Sequence, residues 1–341
     1  MKNVAIISGA SSGLGSEFVV AVLEKYAIFG SGNLEYSKGK IIEPTFENLQ
    51  DSIKINEIWL IARREKSKYH LDLNALESKY SGVKFVYFSL DLGQDSSFIT
   101  LQNALNNGKP NVRILINNAG FERDGAFINM QNSDIITLLD LNIKGATLLS
   151  KIVLPFMLEN LEVFKEKVIE SNLQNPQDSI ESKLQNSQVL DKKITESTSQ
   201  DSIKNSKNPN ILDKEITAFI VMVGSVSGFA PIPNQAVYAA SKGYIEYFSK
   251  ALAFELKDSN VNVLLFCPGN MDTEMNSRAD TISRGGKFSK LPFLNIKKET
   301  RIILQKAERG EKIYTALPFY KFYRFLSKII PNNIIMKFNK Y

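Results

Sequence analysis

Short apolar runs alternate along the chain with segments whose apolar residues recur every three or four positions. The first run, "NVAIISGA", is followed by "LGSEFVVAVLEKYA", which has the helical period. Further runs of the same character are "EIWLIARR", "VKFVYFSLDL", "VRILINNAG", "AFIVMVGS" and "VNVLLFCPG". Continuous apolar runs are typical of strands buried on both faces, and strands that alternate with helices predict right-handed crossovers. The pattern therefore predicts an α/β domain with a doubly wound parallel sheet.

Two segments interrupt this alternation. Residues 30–54, between the first helix and the second strand, exceed the usual short connection. Residues 162–216 are rich in Asn, Gln, Ser, Lys and Asp, and they contain an approximate tandem duplication, "QDSIESKLQNSQVLDKKIT" and then "QDSIKNSKNPNILDKEIT". Such low-complexity composition cannot bury enough apolar area to offset the entropy of ordering, which favours a surface insertion that is disordered or weakly helical. The alternative is a partner-binding arm.

Composition narrows the class of protein. The 341 residues, 43% of them hydrophobic, can bury the core of one large domain or two small ones. A single cysteine, Cys267, and a single histidine, His70, argue against a disulfide framework and against a zinc or iron site, so we expect no metal and a reducing, cytoplasmic setting. The apolar run after Lys2 is too short for a signal peptide, and no later run approaches membrane-spanning length. The net charge of +6 fits an anionic cofactor, a membrane surface or solubility alone, and we expect no nucleic-acid partner.

The segment "SGASSGLG" places three glycines between the first strand and the first helix. Because Gly9, Gly13 and Gly15 lack Cβ atoms, the backbone there can approach a pyrophosphate closely, and the amides at the helix start, around Ser11 and Ser12, can bind it. The spacing differs from the G-x-G-x-x-G fingerprint, and a glycine turn after a strand is also explained by geometry alone. The sequence thus indicates, but does not by itself establish, a dinucleotide site.

The end of the second predicted strand bears on the choice of cofactor. Folds that prefer NAD usually offer a carboxylate there to the ribose hydroxyls. Here the strand ends "IARRE", and the planar guanidinium of Arg63 suits a 2′-phosphate. The position therefore favours NADPH over NADH, with solvated surface arginines as the alternative interpretation.

Six segments in register resemble the short-chain dehydrogenase/reductase family: "SGASSGLG", "NNAG" at 117–120, "LDLNIKGA" around Asn142, "GSVSG" around Ser225, "YAASK" at 238–242 and "CPGNMDTEM" from Cys267. The resemblance spans residues 4 to about 275, apart from the two insertions. It implies one Rossmann-type catalytic domain at 1–275, usually with seven parallel strands, and a homodimer or homotetramer. It further implies that NADP(H) is lined by residues beyond the glycine loop and Arg63, namely Asp91 at the adenine, Leu92, Asn117, Ala119, Gly120, Tyr238, Lys242, Pro268, Gly269 and, at the nicotinamide carboxamide, Thr273.

The stretch from Ser225 to Lys242 carries the chemistry. Tyr238 and Lys242 are four residues apart and share one face if the segment is helical. Reduction of a carbonyl requires a proton donor, and a phenol with a pKa near 10 needs its anion stabilised to serve at neutral pH. We therefore expect Tyr238 to act as general acid, Lys242 and the oxidised nicotinamide to lower its pKa, and Ser225 to hold the substrate oxygen. By the resemblance, Asn142 holds a water that relays protons to Lys242.

Each residue also has a structural alternative, and the whole chain has functional ones. A tyrosine and a lysine at helical spacing can be a half-buried ring and a snorkelling amine, and Ser225 can cap a strand end. NAD-dependent alcohol oxidation is one rival function. A non-catalytic nucleotide-sensing or scaffold protein that uses residues 162–216 is the other. Arg63 argues against the first rival, and the intact set of Tyr238, Lys242, Ser225 and Asn142 argues against the second.

Residues 276–341 form the last predicted part, a substrate lid followed by a basic aromatic extension. The lid, 276–295, mixes glycines and phenylalanines with charges, as a mobile cover would. Between Pro318 and Pro331 the pattern predicts one amphipathic helix at 319–330. Its expected apolar face is Phe319, Phe322, Tyr323, Leu326, Ile329 and Ile330, with Lys321, Arg324 and Lys328 opposite. Such a helix either contacts an anionic membrane surface, which would favour a lipophilic carbonyl or alcohol substrate, or caps the core or a subunit interface.

Overall fold

A parallel sheet of seven strands forms the centre of the molecule. The computed structural model describes residues 1–27, 53–158, 217–273 and 293–338, and the backbone of 36–37 and 40–41. The strands are β1 (Asn3–Ser8), β2 (Glu57–Ala62), β3 (Lys84–Ser89), β4 (Asn111–Asn117), β5 (Ala218–Val223), β6 (Val261–Cys267) and β7 (Ile313–Thr315). Their order is β3-β2-β1-β4-β5-β6-β7, and all neighbours are parallel. The predicted doubly wound α/β sheet is confirmed.

Helices cover both faces of the sheet. They are α1 (Gly13–Tyr26), α2 (Leu73–Lys79), α3 (Asp95–Gly108), α4 (Asn132–Leu158), α5 (Ala236–Glu255), α6 (Ile296–Glu308), α7 (Pro318–Leu326) and α8 (Asn332–Phe338). On one face, α1 packs against α6 over a core that includes Ile7, Leu60 and Phe266. On the other face, α4 packs against α5, and Ser150 of α4 contacts Met222 of β5.

The strand order reverses between β1 and β4. The chain winds from β1 outward to β3, then returns to β4 on the other side of β1 and continues to β7. Loops that leave the carboxyl ends of β1 and β4 therefore diverge and open a crevice, which is the usual ligand site of such sheets.

Two strands depart from the sequence pattern. Residues of β3 are half-buried or exposed, because β3 is an edge strand with β2 as its single neighbour, so its apolar run does not mark burial on both faces. The edge strand β7 has only three residues and follows no long apolar run. The seventh strand was expected from the family resemblance and not from the pattern.

The structure refines the predicted boundaries of the first insertion. Ile53 is buried and the amide of Ile55 donates to the carbonyl of Tyr26 at 2.8 Å, so the chain rejoins the core just before residue 54. Residues 36–37 and 40–41 of that insertion pair as two short antiparallel strands. The insertion at 162–216 and most of the lid at 276–295 lie outside the described residues.

In the described part of the chain, α4 alone is long and apolar enough to cross a membrane, yet it is a core helix, with Leu149 and Val153 buried.

The predicted helix at 319–330 is wrong in its length and in its faces. Helix α7 ends at Leu326, a turn follows, and α8 begins after Pro331. The Ser327 hydroxyl donates to the Arg324 carbonyl at 2.9 Å, and a residue that precedes proline, here Ile330, disfavours the helical region. Tyr320, which the pattern left off the apolar face, is the buried residue of α7.

Candidate active site

At the glycine turn after β1, backbone segments lie very close to one another. Gly9 and Gly13 have positive φ angles of 68° and 55°, which favour glycine. A Cβ atom on Gly15 would lie 2.0 Å from the carbonyl oxygen of Gly9. A Cβ atom on Gly9 would lie 2.7 Å from the side-chain nitrogen of Asn118. Each glycine is therefore required by geometry, and the turn presents bare backbone to the crevice.

The loop after β4 is tied to the end of β1. The Ser8 hydroxyl accepts hydrogen bonds from the backbone amides of Asn118 and Ala119, both at 3.0 Å, and donates to the Ile116 carbonyl at 3.3 Å. This serine fixes the "NNAG" segment beside the glycine turn at the point where the strand order reverses. Ser8 was not a predicted site residue, and its role is to position the two loops.

The surroundings of the glycine turn suit an anionic group. Ser12 precedes α1 without capping it through its side chain, and the first turn of α1 carries no acid, so the helix start favours an anion. Arg63 and Arg64, at the end of β2, line the same cavity. The sequence singled out Arg63, and the structure brings Arg64 to the same wall.

The helix α5 and the loop after β5 bring the predicted catalytic side chains together. The Ser225 hydroxyl is hydrogen-bonded to Tyr238 and accepts the Ser227 amide at 3.1 Å. The ammonium of Lys242 lies 5.8 Å from the centre of the Tyr238 ring and donates to the Val223 carbonyl at 3.1 Å. Ser225, Tyr238 and Lys242 are all buried. Their arrangement could hold and protonate an oxygen atom.

Asn142 lies in a π-helical turn, Asp140–Gly145, inside α4. Such turns are frequent at functional sites because they redirect a side chain. The Asn142 carboxamide accepts the Phe121 amide at 2.8 Å and donates to the Phe121 carbonyl at 2.9 Å and to Ser241 of α5 at 3.1 Å. A Cβ atom on Gly120 would lie 3.3 Å from the Asn142 oxygen and 3.6 Å from the Lys242 nitrogen. Asn142 therefore connects the loop after β4 to the helix that carries Tyr238 and Lys242.

The electrostatics of the site differ from the sequence expectation. Burial raises the pKa of Tyr238 well above its usual value, and the charges of Glu122 and Asp124 raise it further, while the Ser225 hydrogen bond lowers it. Burial lowers the pKa of Lys242 to about 8, against the opposing effect of Glu122. The expectation that Lys242 lowers the pKa of Tyr238 does not hold for the protein alone, because burial and the two carboxylates dominate.

One cavity of about 850 Å³ collects most of the predicted residues. It is lined by Gly9, Ser11, Ser12, Gly13, Arg63, Leu92, Ala119, Gly120, Ser225, Tyr238, Lys242, Pro268, Gly269 and Thr273. The glycine turn and the loop after β6 meet in it, since a Cβ atom on Gly13 would lie 3.3 Å from Thr273.

Four predicted residues lie outside the cavity lining. Gly15 and Asn142 act through their neighbours, as described above. The Asn117 amide donates to the Ala146 carbonyl at 2.7 Å, so its side chain holds α4 against the sheet. The Asp91 carboxylate accepts the Gly93 amide at 2.9 Å within its own turn, and its contact with an adenine stays a prediction.

The sequence reasoning missed the loop that follows "NNAG". Phe121, Glu122, Arg123 and Asp124 line the cavity, and Asp124 accepts a hydrogen bond from Gln235 at 2.8 Å. The available signal was position: a loop at the carboxyl end of a central parallel strand faces the ligand crevice. Nothing in the residue types of this loop formed a motif.

The C-terminal helix α7 closes the cavity near the loop after β6. Tyr320 is 1% exposed, and its hydroxyl accepts the Asn270 amide at 3.3 Å. A Cβ atom on Gly269 would lie 2.1 Å from the Tyr320 ring, so the ring packs directly on the backbone of Gly269. Tyr323 lines the cavity, and its ring centre lies 6.2 Å from that of Phe229, in the loop that carries Ser225. The extension is therefore part of the site wall.

The family described as short chain dehydrogenase matches residues 54–163 and 207–282, more than half of the chain. This chain belongs to that family. Among curated proteins it is similar to the very-long-chain 3-oxoacyl-CoA reductase of Candida albicans, with 22% identity over 265 residues, 76% of this chain and 53% of that protein. It is also similar to the 3-oxoacyl-(acyl-carrier-protein) reductase FabG of Thermotoga maritima, with 23% identity over 182 residues, 53% of this chain and 52% of that protein. The chain thus spans about half the length of these relatives.

Solved structures support the same fold. A short-chain dehydrogenase from Sphingobium yanoikuyae in complex with NADPH matches with a TM-score of 0.56 and 21% identity, covering 97% of each chain. A 4-hydroxyisoleucine dehydrogenase complexed with NADH and succinate matches with a TM-score of 0.54 and 17% identity, covering 91% of this chain and 96% of the other. The two differ in cofactor, so the fold leaves the choice between NADPH and NADH open.

Proposed function

We propose that the protein reduces a carbonyl to an alcohol with NADPH. The observation that carries the proposal is that one cavity joins Tyr238, Lys242 and Ser225 to the glycine turn and to two arginines. The family supplies the reaction class, oxidoreduction between a carbonyl and an alcohol. The direction and the cofactor are the finer parts of the proposal.

The residues present fit a dinucleotide phosphate. Gly9 and Gly13 line the cavity without a side chain, so their backbone and the start of α1 are open to a pyrophosphate. Arg63 would pair with a 2′-phosphate, and Thr273, close to Gly13, would hold the nicotinamide end. The bound cofactor would supply the hydride.

The side chains of this chain handle the oxygen and its proton. Because its pKa is raised, Tyr238 is protonated at neutral pH and can donate its phenolic proton to the substrate oxygen as negative charge develops there. The Ser225 hydroxyl, already bonded to Tyr238, would donate a second hydrogen bond to that oxygen. Lys242, charged below a pH of about 8, would stabilise the tyrosinate that remains. Asn142 would hold a water that relays protons to Lys242, as the family resemblance implies.

The substrate we propose is a lipophilic carbonyl, with 3-oxoacyl thioesters as the first to test. The names of both curated relatives support the thioester, at low identity. Aromatic side chains of Phe121, Tyr320 and Tyr323 in the cavity wall support an apolar substrate chain. We also propose a cytoplasmic location, because a single cysteine favours a reducing setting.

The experiment is a screen of carbonyl compounds, followed by loss of NADPH absorbance, with NADH run in parallel. Consumption of NADPH by a 3-oxoacyl thioester or another lipophilic ketone supports the proposal. Faster turnover of alcohols with NAD would favour the oxidising rival, for which the neighbour that binds NADH is the supporting observation. Nucleotide binding without turnover of any compound would favour a sensing or scaffold role.

We further propose that the protein assembles as a homodimer or homotetramer through α4 and α5. Both helices carry large apolar side chains that are exposed in the single chain, including Ile136, Leu139, Tyr247 and Phe254. Several exposed large apolar side chains on two neighbouring helices are typical of contact sites. Light scattering after size-exclusion chromatography tests the assembly, and a monomer unaffected by Tyr247→Glu would refute it.

A further inference from the structure

Helix α7 has one face in the cavity and the opposite face in solvent. Tyr320 and Tyr323 line the cavity from the inner side. On the outer side Phe319, Phe322 and Phe325, three residues apart, are 49%, 58% and 58% exposed. We call these three residues the phenylalanine face. A short helix that turns two tyrosines inward, one buried and one half-buried, and exposes phenylalanines reverses the usual arrangement, because phenylalanine has no polar atom to solvate.

The phenylalanine face extends beyond α7. Ile329, in the turn that follows, is 63% exposed, and Ile334, at the start of α8, is 42% exposed. Exposed apolar residues scattered singly need no explanation, but five within sixteen consecutive residues form a patch that marks an interaction site.

The charged side chains of the segment that carries this patch have one sign. Lys321, Lys328 and Lys337 are exposed, and Arg324 is half-buried. No acidic residue follows Glu311 in the sequence. The complementary partner therefore combines negative charge with an apolar interior.

We propose that α7 and the start of α8 form a docking surface for an anionic lipid bilayer. In such a complex the phenylalanine face enters the boundary between headgroups and acyl chains, and the lysines contact anionic headgroups. A second copy of the chain fits less well, because a symmetric contact through this patch would bring the lysines of the two copies together. An acidic protein would match the charge but offers no general reason for five exposed apolar side chains.

The position of α7 gives the docking surface a functional meaning, and this step rests on the proposed reduction of a lipophilic carbonyl. The helix is the shared wall between the patch and the cavity, so a substrate that leaves the bilayer beside α7 has one helix to pass. Docking itself does not depend on the reaction.

The test is co-sedimentation of the full chain with vesicles of phosphatidylcholine alone and of phosphatidylcholine with phosphatidylglycerol, at low and high salt. We expect binding to the anionic vesicles that weakens with salt. Lys321→Gln with Lys328→Gln should lower the binding constant roughly 25-fold, at about fivefold for each charge. Phe322→Ser with Phe325→Ser should lower it at least as much, including at high salt.

Matched controls make the result specific. Ile99→Ser on α3, where Ile99 is 64% exposed, and Lys298→Gln on α6 change the same kinds of side chain outside the patch and should leave binding unchanged. Unaltered NADPH binding and melting temperature show that the patch variants are folded. Absence of binding to anionic vesicles at low salt overturns the proposal, as does equal loss in patch and control variants.

Two other outcomes have separate meanings. A patch variant that changes the oligomeric state but not vesicle binding would assign the surface to a second copy. Vesicle binding by a protein that reduces no carbonyl would leave the docking intact while refuting the proposed function.

Discussion

At the glycine turn the cavity is walled by backbone that tolerates no added side chain, whereas around Tyr238 it is walled by side chains from separate parts of the chain. Gly9 and Gly13, which line that end, have positive φ angles of 68° and 55°, a backbone conformation that residues with a side chain disfavour. The other end takes Ser225 from the loop after β5, Tyr238 from α5 and Tyr320 from α7. The two ends therefore depend on different features of the chain: bare backbone at one end and the chemistry of side chains at the other.

The largest effect we predict is a loss of turnover at the side-chain end of the cavity, with cofactor binding at the glycine turn unchanged. Tyr238→Phe removes the proton donor at the side-chain end and nothing at the glycine turn. Turnover should fall by about 10²- to 10⁴-fold, the range of general acid–base catalysis, with NADPH affinity almost unchanged. Steady-state kinetics and fluorescence titration of NADPH measure the two quantities. A variant that keeps most of its turnover would show that Tyr238 is not the acid.

Ser225→Ala should cost somewhat less at the same end. The variant loses the hydrogen-bond donor to the developing oxyanion, which corresponds to about 10²-fold in kcat. It also loses the acceptor for the Ser227 amide, so the melting temperature is the necessary second measurement. Ser225→Thr keeps both functions and serves as control. An unchanged kcat in Ser225→Ala would make this residue purely structural.

Arg63→Ala tests the opposite end and should affect only the cofactor. The guanidinium would pair with the 2′-phosphate, a group that NADH lacks. A lost charge-assisted hydrogen bond corresponds to about 1.5–3 kcal/mol, so NADPH should bind about 10- to 100-fold more weakly and NADH about as before. The same substitution at Arg64, which lines the same wall, shows whether the two arginines share the phosphate. Equal losses for NADPH and NADH would contradict the assignment.

The same comparison explains how much the sequence could predict. The glycine turn was predicted residue by residue, because positions that require glycine are visible in the sequence as a short local motif. Tyr238 and Lys242 were predicted because helical spacing and chemistry coincide within four residues. Glu122 and Asp124 formed no motif, and their effect on the pKa of Tyr238 depends on burial, which only the folded chain defines. Tyr320 was left off the expected apolar face because one helix was expected to have one apolar side, whereas α7 has two apolar faces, one in the cavity and one in solvent.

The lowered pKa of Lys242 predicts opposite pH trends for activity and stability. Above a pH of about 8 the ammonium becomes neutral, so the reduction rate should fall about tenfold per pH unit. The free energy of unfolding should rise over the same range, up to the usual lysine pKa of 10.5, because the unfolded chain then binds the proton that the folded chain has released. The pKa of Tyr238 is raised well above 10, so its titration lies outside this window.

Lys242→Met isolates these trends. The difference in free energy of unfolding between the variant and the original protein removes the contribution of all other titrating groups. At neutral pH we expect the variant to be inactive and more stable, by on the order of 1 kcal/mol, since a buried charge has been removed at the cost of one hydrogen bond to Val223. A variant that is less stable at neutral pH would show that the ammonium is well solvated and that its pKa is not lowered.

The smallest effect we predict lies where the two ends meet. The Tyr320 hydroxyl accepts the amide of Asn270, next to Gly269 in the loop that would hold the nicotinamide, so a side chain of the extension fixes a backbone segment of the cofactor site. Tyr320→Phe keeps the packing of the ring on Gly269 and removes only this hydrogen bond. We expect a loss of about 0.5–1.5 kcal/mol in the free energy of unfolding and a rise of less than tenfold in the KM for NADPH, with kcat almost unchanged. A Tyr320→Phe variant with the stability and KM of the original protein would mean that packing on Gly269 alone positions the loop, and that the extension contributes shape and no hydrogen bond to the cofactor end.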